Sequence, residues 1–533
     1  MRNRLSATPI GPIYTTPVNA GPKPLDTISV ANFGGLNTVD DPRDIDPGQL
    51  TVANNIDIDT NVWDRRTGYN ILTPTKPDST KVLSFQSVEL YNSSIVQLRF
   101  DSGKIYRRGS GSWTEITGGG LAGGDNDRFS VTTLLNRFFC SNNGVDVIQE
   151  LDLTGNTYAD LGNAPAYKYI TAYYNRIVGA YNTTSLNPIE VGWSGDINLD
   201  EWDPVTDPSA GSNPLYDTPT NYADQITGLF TFGDYLIIPR ERSTYLATKQ
   251  PIATVPFYFY PAVLNIGSDL PYSICIVKNG ICFADRRTRM VYYYEVGTSA
   301  PIPIGQQIYN ILNIANLDPD TIYSGYDPYH QEYVLGVPSA SSTVTTQYIF
   351  NFKTQVWYTE VINNASFIGS SPFSAQTAAI QDLIGNIEDL TGDIDSLSPS
   401  TTFPTRFVGL TNGDILQSSD SADTDGGVTY TFDIQSKTFE ENGFDFYVKR
   451  LNLIFMPIKT GSFSVYYSTD NSNTWTLYKD VSVSSTDIGD RQLVTCVKLI
   501  KCRQYSFRIT STSGLFSITH YEIERDPGGP SRN

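Results

Sequence analysis

The sequence predicts a mostly β fold: a β-propeller core followed by a C-terminal β-sandwich, with a short helical insertion between them. Three observations lead there. The chain is rich in Tyr (34) and Phe (25) and punctuated by Gly (42) and Pro (31), a composition that favours strands and tight turns over helices. From about residue 80 to 370, short apolar runs alternate with Gly, Asn, Asp or Ser turns, the pattern of successive antiparallel hairpins. From about Phe407 onward that alternation resumes. At 533 residues the chain exceeds one core of ~100–200 residues, so several domains are expected.

Residues 1–28 carry Pro9, Pro12, Pro17, Pro22 and Pro24 with few large apolar groups, and read as an extended N-terminal arm without a core of its own. Residues 29–75 are a turn-rich segment expected to close onto a propeller spanning 76–373. Within that span six hairpin units stand out, at 94–106, 129–152, 169–181, 226–247, 274–295 and 322–358. Each is a strand, a tight turn and a returning strand with bulky residues. In the fifth unit the turn is read at Asn279-Gly280. Their spacing of ~30–50 residues suits four-stranded blades. No Gly-His or Trp-Asp signature recurs, so packed sandwiches are the competing architecture.

Residues 374–400 break the pattern. Ile380, Leu383, Ile384, Ile387, Leu390, Ile394 and Leu397 recur at three- and four-residue steps, which predicts an amphipathic helix weakened by Gly385 and Gly392. So short a piece needs its apolar stripe docked, either beside its own copies in a ring or as a plain linker helix. Residues 401–533 return to alternation in runs at 430–434, 449–455, 462–467, 492–499 and 504–509, enough strands for a compact sandwich.

Several chemistries lack raw material. Lys and Arg number 37 against 56 Asp and Glu, a formal charge of −19, so the surface as a whole repels phosphate and does not bind nucleic acid tightly. Two histidines, His330 and His520, leave little for a zinc site or for general base work. Cys140, Cys275, Cys282, Cys496 and Cys502 are odd in number and read as buried free thiols, with Cys275/Cys282 and Cys496/Cys502 hairpin bridges as the alternative. The start Met1-Arg-Asn-Arg-Leu-Ser lacks a signal-peptide apolar stretch, and no run approaches ~18 apolar residues, so neither export by the usual route nor a membrane span is expected.

Motif by motif, structural roles outweigh catalytic ones. Ser468-Thr-Asp470-Asn-Ser472-Asn-Thr-Trp475 nearly matches the Asp-box hairpin of sialidase-type propellers, with Ser472 where that motif has Gly; it is a turn even in enzymes. The acidic groups Asp57-Ile-Asp59, Asp196 to Asp203 and Asp393-Ile-Asp395 lack the twelve-residue calcium loop and read as solvated turns. No Gly-x-Ser-x-Gly elbow or His-Glu-x-x-His helix occurs. No catalytic, cofactor-binding or metal-binding residue is assigned, and the chain is not expected to be an enzyme.

The most distinctive stretch runs Phe33-Gly34-Gly35-Leu36-Asn37-Thr38, Asp41-Pro42, Pro47-Gly48-Gln49, Ala53-Asn54-Asn55-Ile56-Asp57 and Arg65-Arg66-Thr67-Gly68-Tyr69. The paired glycines allow a tight bend, Asp41-Pro42 and Pro47-Gly48 mark two turns, and Arg65-Arg66 with Gly68 closes a hairpin. Gly34-Gly35 is not followed by Lys-Ser/Thr, so it is no phosphate loop. The order of these elements resembles the N-terminal signature of podovirus-type bacteriophage tail nozzle or tail hub proteins, which precedes a β-propeller. Residues 267–285 and 326–333 through Trp357 resemble later blades of that family, so the likeness covers most of 30–370 and, more weakly, the C-terminal sandwich.

That resemblance implies a structural virion protein. It would form a homo-hexameric ring at the distal end of a short tail, hung below the portal-adaptor ring and docking a tail fibre or other tail proteins. Genomic DNA would leave past it without sequence-specific binding, an acidic wall reducing adhesion, and the host cell envelope would lie at its tip. The expected location is the virion tail after synthesis in the host bacterial cytoplasm, with Gly34, Gly35, Leu36, Asn37, Pro47, Gly48, Arg66 and Gly68 as its structural signature. Two competing classes are a receptor- or glycan-binding tail protein and a polysaccharide depolymerase.

Overall fold

Aromatic and β-branched residues spaced two apart build four-stranded antiparallel units whose faces need covering, and the chain covers them with one another. The structure, a computed structural model, describes residues 26–526 except 61, 90–94, 110, 217–223, 313–316, 340–341, 373–403 and 442. Blades 1 to 5 follow in sequence order at residues 82–116, 129–160, 167–214, 230–264 and 275–303. Blade 6, residues 323–363, has the same four strands, but its outer strand continues into the C-terminal sheet.

Blade 7 is assembled from separate pieces. Ala365–Pro372, Pro404–Leu410 and Ile415–Ser418 supply three strands, and Tyr69–Ile71 from the N-terminal segment supplies the outermost, with Leu416 opposite Ile71 and Ser418 opposite Tyr69. Among the described residues six four-stranded sheets therefore stand apart, and blade 6 completes the propeller ring. The first strand of blade 7 packs on the first strand of blade 1, so the ring is closed, with its last blade clasped by residues from before the first.

The core is divided into wedges between blades. Phe100, Phe129 and Phe138 fill the seam of blades 1 and 2, and Phe139, Tyr167 and Trp202 that of blades 2 and 3. Trp193, Leu236 and Phe257 fill the next seam, Ile237, Phe283 and Tyr292 the one between blades 4 and 5, and Val82, Phe85 and Phe407 the closing one. A blade buries both faces this way, which explains why its strands read as nearly continuous apolar runs.

The C-terminal region is two long strands folded over on themselves. Phe446–Ser468 and Gln504–Asp526 pair antiparallel along their length, with register shifts around Pro457, Lys459 and Ser462, where Gly461 and Gly514 touch. Phe507 and Tyr521 lie fourteen positions apart on one strand, yet their ring centres are 5.0 Å apart. A straight strand would hold them ~45 Å apart, so the strand switches layers at this corner, and Phe455, Phe463 and Phe516 pack inside the sandwich so formed.

Several boundaries shift from the sequence reading. The strands 404–410 and 415–418 belong to blade 7, so the propeller extends beyond residue 373 and the sandwich begins later than 401. Residues 26–28 are not arm but part of strand Asp26–Val30, which pairs with the last strand, Asp26 opposite Arg525. The arm residues 1–25 and the helical insertion at 374–400 lie outside the described residues. The turn of blade 5 falls at Lys278-Asn279, because Gly280 already pairs with Val277; a Cβ on Gly280 would sit 1.9 Å from the Tyr294 carbonyl oxygen, so close approach requires that glycine.

All five cysteines are free thiols. Cys275 and Cys282 lie opposite each other in register, whereas Cys496 and Cys502 share one strand, six positions apart, and cannot bridge. Burial pushes the Cys275 and Cys502 thiols up to about 12 and the Cys496 thiol up to about 11, which keeps them protonated at neutral pH.

Candidate functional site

The eight signature residues converge on one joint, where the N-terminal segment is wedged between blade 6, blade 7 and the sandwich. Phe33 stacks on Trp63 with ring centres 3.9 Å apart, and Tyr521 of the sandwich flanks both. The Gly34 amide donates to the Gly48 carbonyl (2.8 Å), and Trp63 Nε1 donates to the Gly34 carbonyl (3.2 Å). A Cβ on Gly35 would fall 2.2 Å from the Trp357 carbonyl oxygen, and the next amide, Leu36, donates to that same oxygen at 2.6 Å. Gly35 therefore serves close backbone contact with blade 6, while Gly34 faces Gln49 and Gly48 of its own segment.

Asn37 folds the following turn on itself. Its Oδ1 accepts from the Val39 and Asp40 amides, both 3.2 Å, while Nδ2 donates to Asp40 (2.9 Å) and Gln49 (3.2 Å). The Pro47 carbonyl accepts from Tyr521 Oη, and a Cβ on Gly48 would lie 2.4 Å from the Asn32 carbonyl oxygen. Leu36 is buried in the shared core.

Arg66 and Gly68 lock the far side. The Arg66 guanidinium forms two hydrogen bonds with Asp425, donates from Nε to Asn55 Oδ1 (2.9 Å) and lies 3.8 Å from the centre of the Tyr430 ring. Burial alone would lower its pKa, but Asp425 more than offsets this and raises it. Asn55, with φ +56°, passes the link onward, donating to the Thr431 carbonyl (2.7 Å) and accepting from the Val361 amide (2.9 Å). A Cβ on Gly68 would meet the Thr424 carbonyl oxygen at 2.1 Å.

Beside this joint lies an ion network that the sequence did not reveal, and Asp57, expected in a solvated turn, is instead a shielded strand residue attached to it. Arg406 of blade 7 bonds Asp327 (3.2 Å), Glu360 (3.2 Å) and Glu332 of blade 6. Tyr69 Oη donates to Glu360 (2.9 Å), Tyr358 Oη donates to Glu332, and Tyr358 Oη lies 3.3 Å from Asp57 Oδ1. His330 Nδ1 sits 3.0 Å from Asp327 Oδ2. Burial works to raise Asp327, but Arg406 and His330 hold it well below the usual carboxylate range. Desolvation, then the negative charges of Glu332 and Asp64, push Asp57 up to about 8. Asp64, opposite Asp57 in the hairpin register, rises to about 6 by burial. Asp327, His330 and Glu332 bring possible ligand atoms within 4.8 Å of one another. Arg406 already bonds both carboxylates, so the guanidinium fills the place a cation would take, and the network clamps blade to blade.

Other flagged motifs are turns. Asp470 accepts from the Thr474 amide (2.9 Å), Thr474 Oγ1 (2.6 Å) and Ser468 Oγ (2.7 Å), and Ser472 takes φ +65° in place of glycine. The Asp-box-like hairpin thus belongs to the sandwich. Asp196 accepts from Ser209 Oγ (3.1 Å) and Asp203 from the Val205 amide (2.9 Å); Asp393 and Asp395 lie outside the described residues. The innermost strands of all seven blades enclose an axial cavity of about 350 Å³, the size of a small-molecule pocket.

No family model matches the chain, and no curated protein matches it. Among solved structures, the extracellular domain of a protein described as a hybrid two-component system of Bacteroides thetaiotaomicron superposes with TM-score 0.38 at 8% identity, covering 80% of this chain and 47% of that one. An auxiliary nutrient binding protein of the same organism gives TM-score 0.32 at 8% identity over 74% and 76% of the two chains. Hydrazine synthase of Kuenenia stuttgartiensis gives 0.34 at 9% identity over 66% and 99%. The chain spans about half the length of the first of these. Among the described residues no helix is long and apolar enough to cross a membrane.

Proposed function

We propose that this chain is a structural protein of a short bacteriophage tail, forming the nozzle or hub ring at its distal end. The observation that carries this reading is the convergence of Gly34, Gly35, Leu36, Asn37, Pro47, Gly48, Arg66 and Gly68 on one densely hydrogen-bonded joint. The ordered motif that resembles the tail family is here the device that makes propeller and sandwich a single body. A subunit that bears load during ejection would use such a joint.

Two further features fit a ring. The sandwich strand Gln492–Cys502 turns Leu493, Val497 and Leu499 outward at 62%, 75% and 67% exposure, an apolar row suited to a neighbouring subunit. The axial cavity of each propeller is of small-molecule size, so the genome would pass between six subunits arranged about a shared axis. A formal charge of −19 disfavours phosphate adhesion along that path. The adaptor ring above and fibre or tip proteins below would be its partners.

Native mass spectrometry of the purified full chain, alone and with the portal-adaptor complex, tests the reading. A cyclic oligomer, formed alone or on the adaptor, is expected. A monomer that ignores the adaptor and depolymerises polysaccharide would overturn it.

A further inference from the structure

Arg128 stands at the head of the first strand of blade 2, only 7% exposed, facing the axial cavity. Its Nη2 donates to the carbonyls of Ser366 (3.0 Å) and Thr321 (3.5 Å), its guanidinium lies 4.9 Å from the centre of the Tyr272 ring, and its Nε has no partner. Among the described residues no carboxylate lies within ion-pair distance of it. Burial pushes its pKa down, the mark of a cation lacking a counter-charge.

A second cation lines the same cavity. Lys168, on the first strand of blade 3, holds its ammonium 4.1 Å from the centre of the Tyr181 ring and bonds no carboxylate among the described residues. The acids that face the pair are otherwise placed. Asp127 is occupied by Asn143 Nδ2 (3.0 Å) and the Gly124 amide (2.8 Å), and Asp320 is exposed to solvent. Lys81, also close to Arg128, donates to the Asp125 carbonyl (2.7 Å). Around the two cations the lining offers the Gln86 amide beside Phe230 and Tyr272, and the Ser130, Thr171 and Thr231 hydroxyls as acceptors, their protons going to the Ile170 carbonyl, to Thr231 and to the Ala172 carbonyl. Among the described lining residues the two charged side chains are both cations, in a chain whose formal charge is −19.

We infer that the axial cavity is a binding site for a small organic oxyanion, one carboxylate or phosphate on a compact hydroxyl-bearing frame such as an acidic monosaccharide, with Arg128 and Lys168 holding the charge. The Gln86 amide and the remaining lone pairs of the Ser130, Thr171 and Thr231 hydroxyls would accept from the frame's hydroxyls, and the aromatic rings match its apolar face. The site is independent of the proposed place in a virion.

Isothermal titration of the full chain with glucuronate, glucose 6-phosphate and glucose tests it. At least one of the two anions is expected to bind, more tightly than glucose by about tenfold or more. Which one binds separates a carboxylate from a phosphate ligand, and binding of both points to the shared oxyanion chemistry. Lys168→Gln, at a partly exposed position that leaves the strand intact, is expected to weaken binding by about tenfold, and Arg128→Gln to abolish it. If Arg128→Gln fails to fold, Lys168→Gln alone decides. Failure of both anions to bind, binding no tighter than glucose, or affinity unchanged by Lys168→Gln overturns the inference.

Discussion

Arg66 reaches Asp425 through two parallel hydrogen bonds, 2.8 Å from Nη1 and 2.6 Å from Nη2, with only 2% of the arginine exposed. The pair fastens the N-terminal segment to the chain that leaves blade 7, far away in sequence. Removing one partner strands the other charge in a dry place, so Arg66→Met is expected to lower unfolding stability by about 3–5 kcal/mol. Adding Asp425→Leu to it should restore part of that loss, because the stranded carboxylate is gone. Urea denaturation of the two variants checks this; a single variant within about 1 kcal/mol of the parent would contradict it.

The two signature glycines should respond unequally. A Cβ on Gly35 meets the Trp357 carbonyl oxygen at 2.2 Å, whereas one on Gly34 meets only the Gln49 Cγ at 3.0 Å, on a side chain that can move. Gly35→Ala is expected to cost at least about 2 kcal/mol and Gly34→Ala less than about 1 kcal/mol. Thermal unfolding of both variants gives the ranking, and equal losses would show that glycine here serves only backbone freedom.

Stability should fall as pH rises through neutrality. Asp57 and Asp64 titrate near 8 and 6 in the folded chain against an ordinary 3.8, so the folded state keeps protons that the unfolded state has released between those values. His330 works in the same direction: burial tends to lower its pKa, the Asp327 bond and the Glu332 charge raise it, and its contribution is lost as pH climbs through the raised value. Asp327, held low, opposes this only below 3.8. The melting temperature is therefore expected to be higher at about pH 5.5 than at about pH 8, with Asp57→Asn removing most of the difference. A parent profile flat across that range would contradict the assignment.

How much of this was legible in the sequence depends on contiguity. The six hairpin units lie within blades 1 to 6, because each is made of neighbouring strands with its own turns. Blade 7 left no such trace, since its strands come from residues 69–71, 365–372 and 404–418. Gly34-Gly35 and Arg66 stood out as unusual, but their function required knowing that Trp357 and Asp425 lie against them. The Arg406 network was invisible for the same reason: Asp327, Glu332 and Glu360 are ordinary strand acids until folding gathers them round one guanidinium, with Asp57 reaching the group through Tyr358.

The apolar row on Gln492–Cys502 gives the assembly its own test. Leu493, Val497 and Leu499 are exposed, so Val497→Glu should leave the melting temperature of the isolated subunit within a few degrees while breaking self-association. Sedimentation of parent and variant at matched concentration reads this, and unchanged association would place the ring contact elsewhere.

Cryo-microscopy of particles released by the genome that encodes this chain would show directly whether it forms a ring at the end of a short tail. Six copies of the propeller and sandwich are expected around the tail axis at its distal end, with acidic surface facing the bore. Particles that lack the chain, or that carry it as a peripheral receptor-binding appendage off the tail axis, would contradict it.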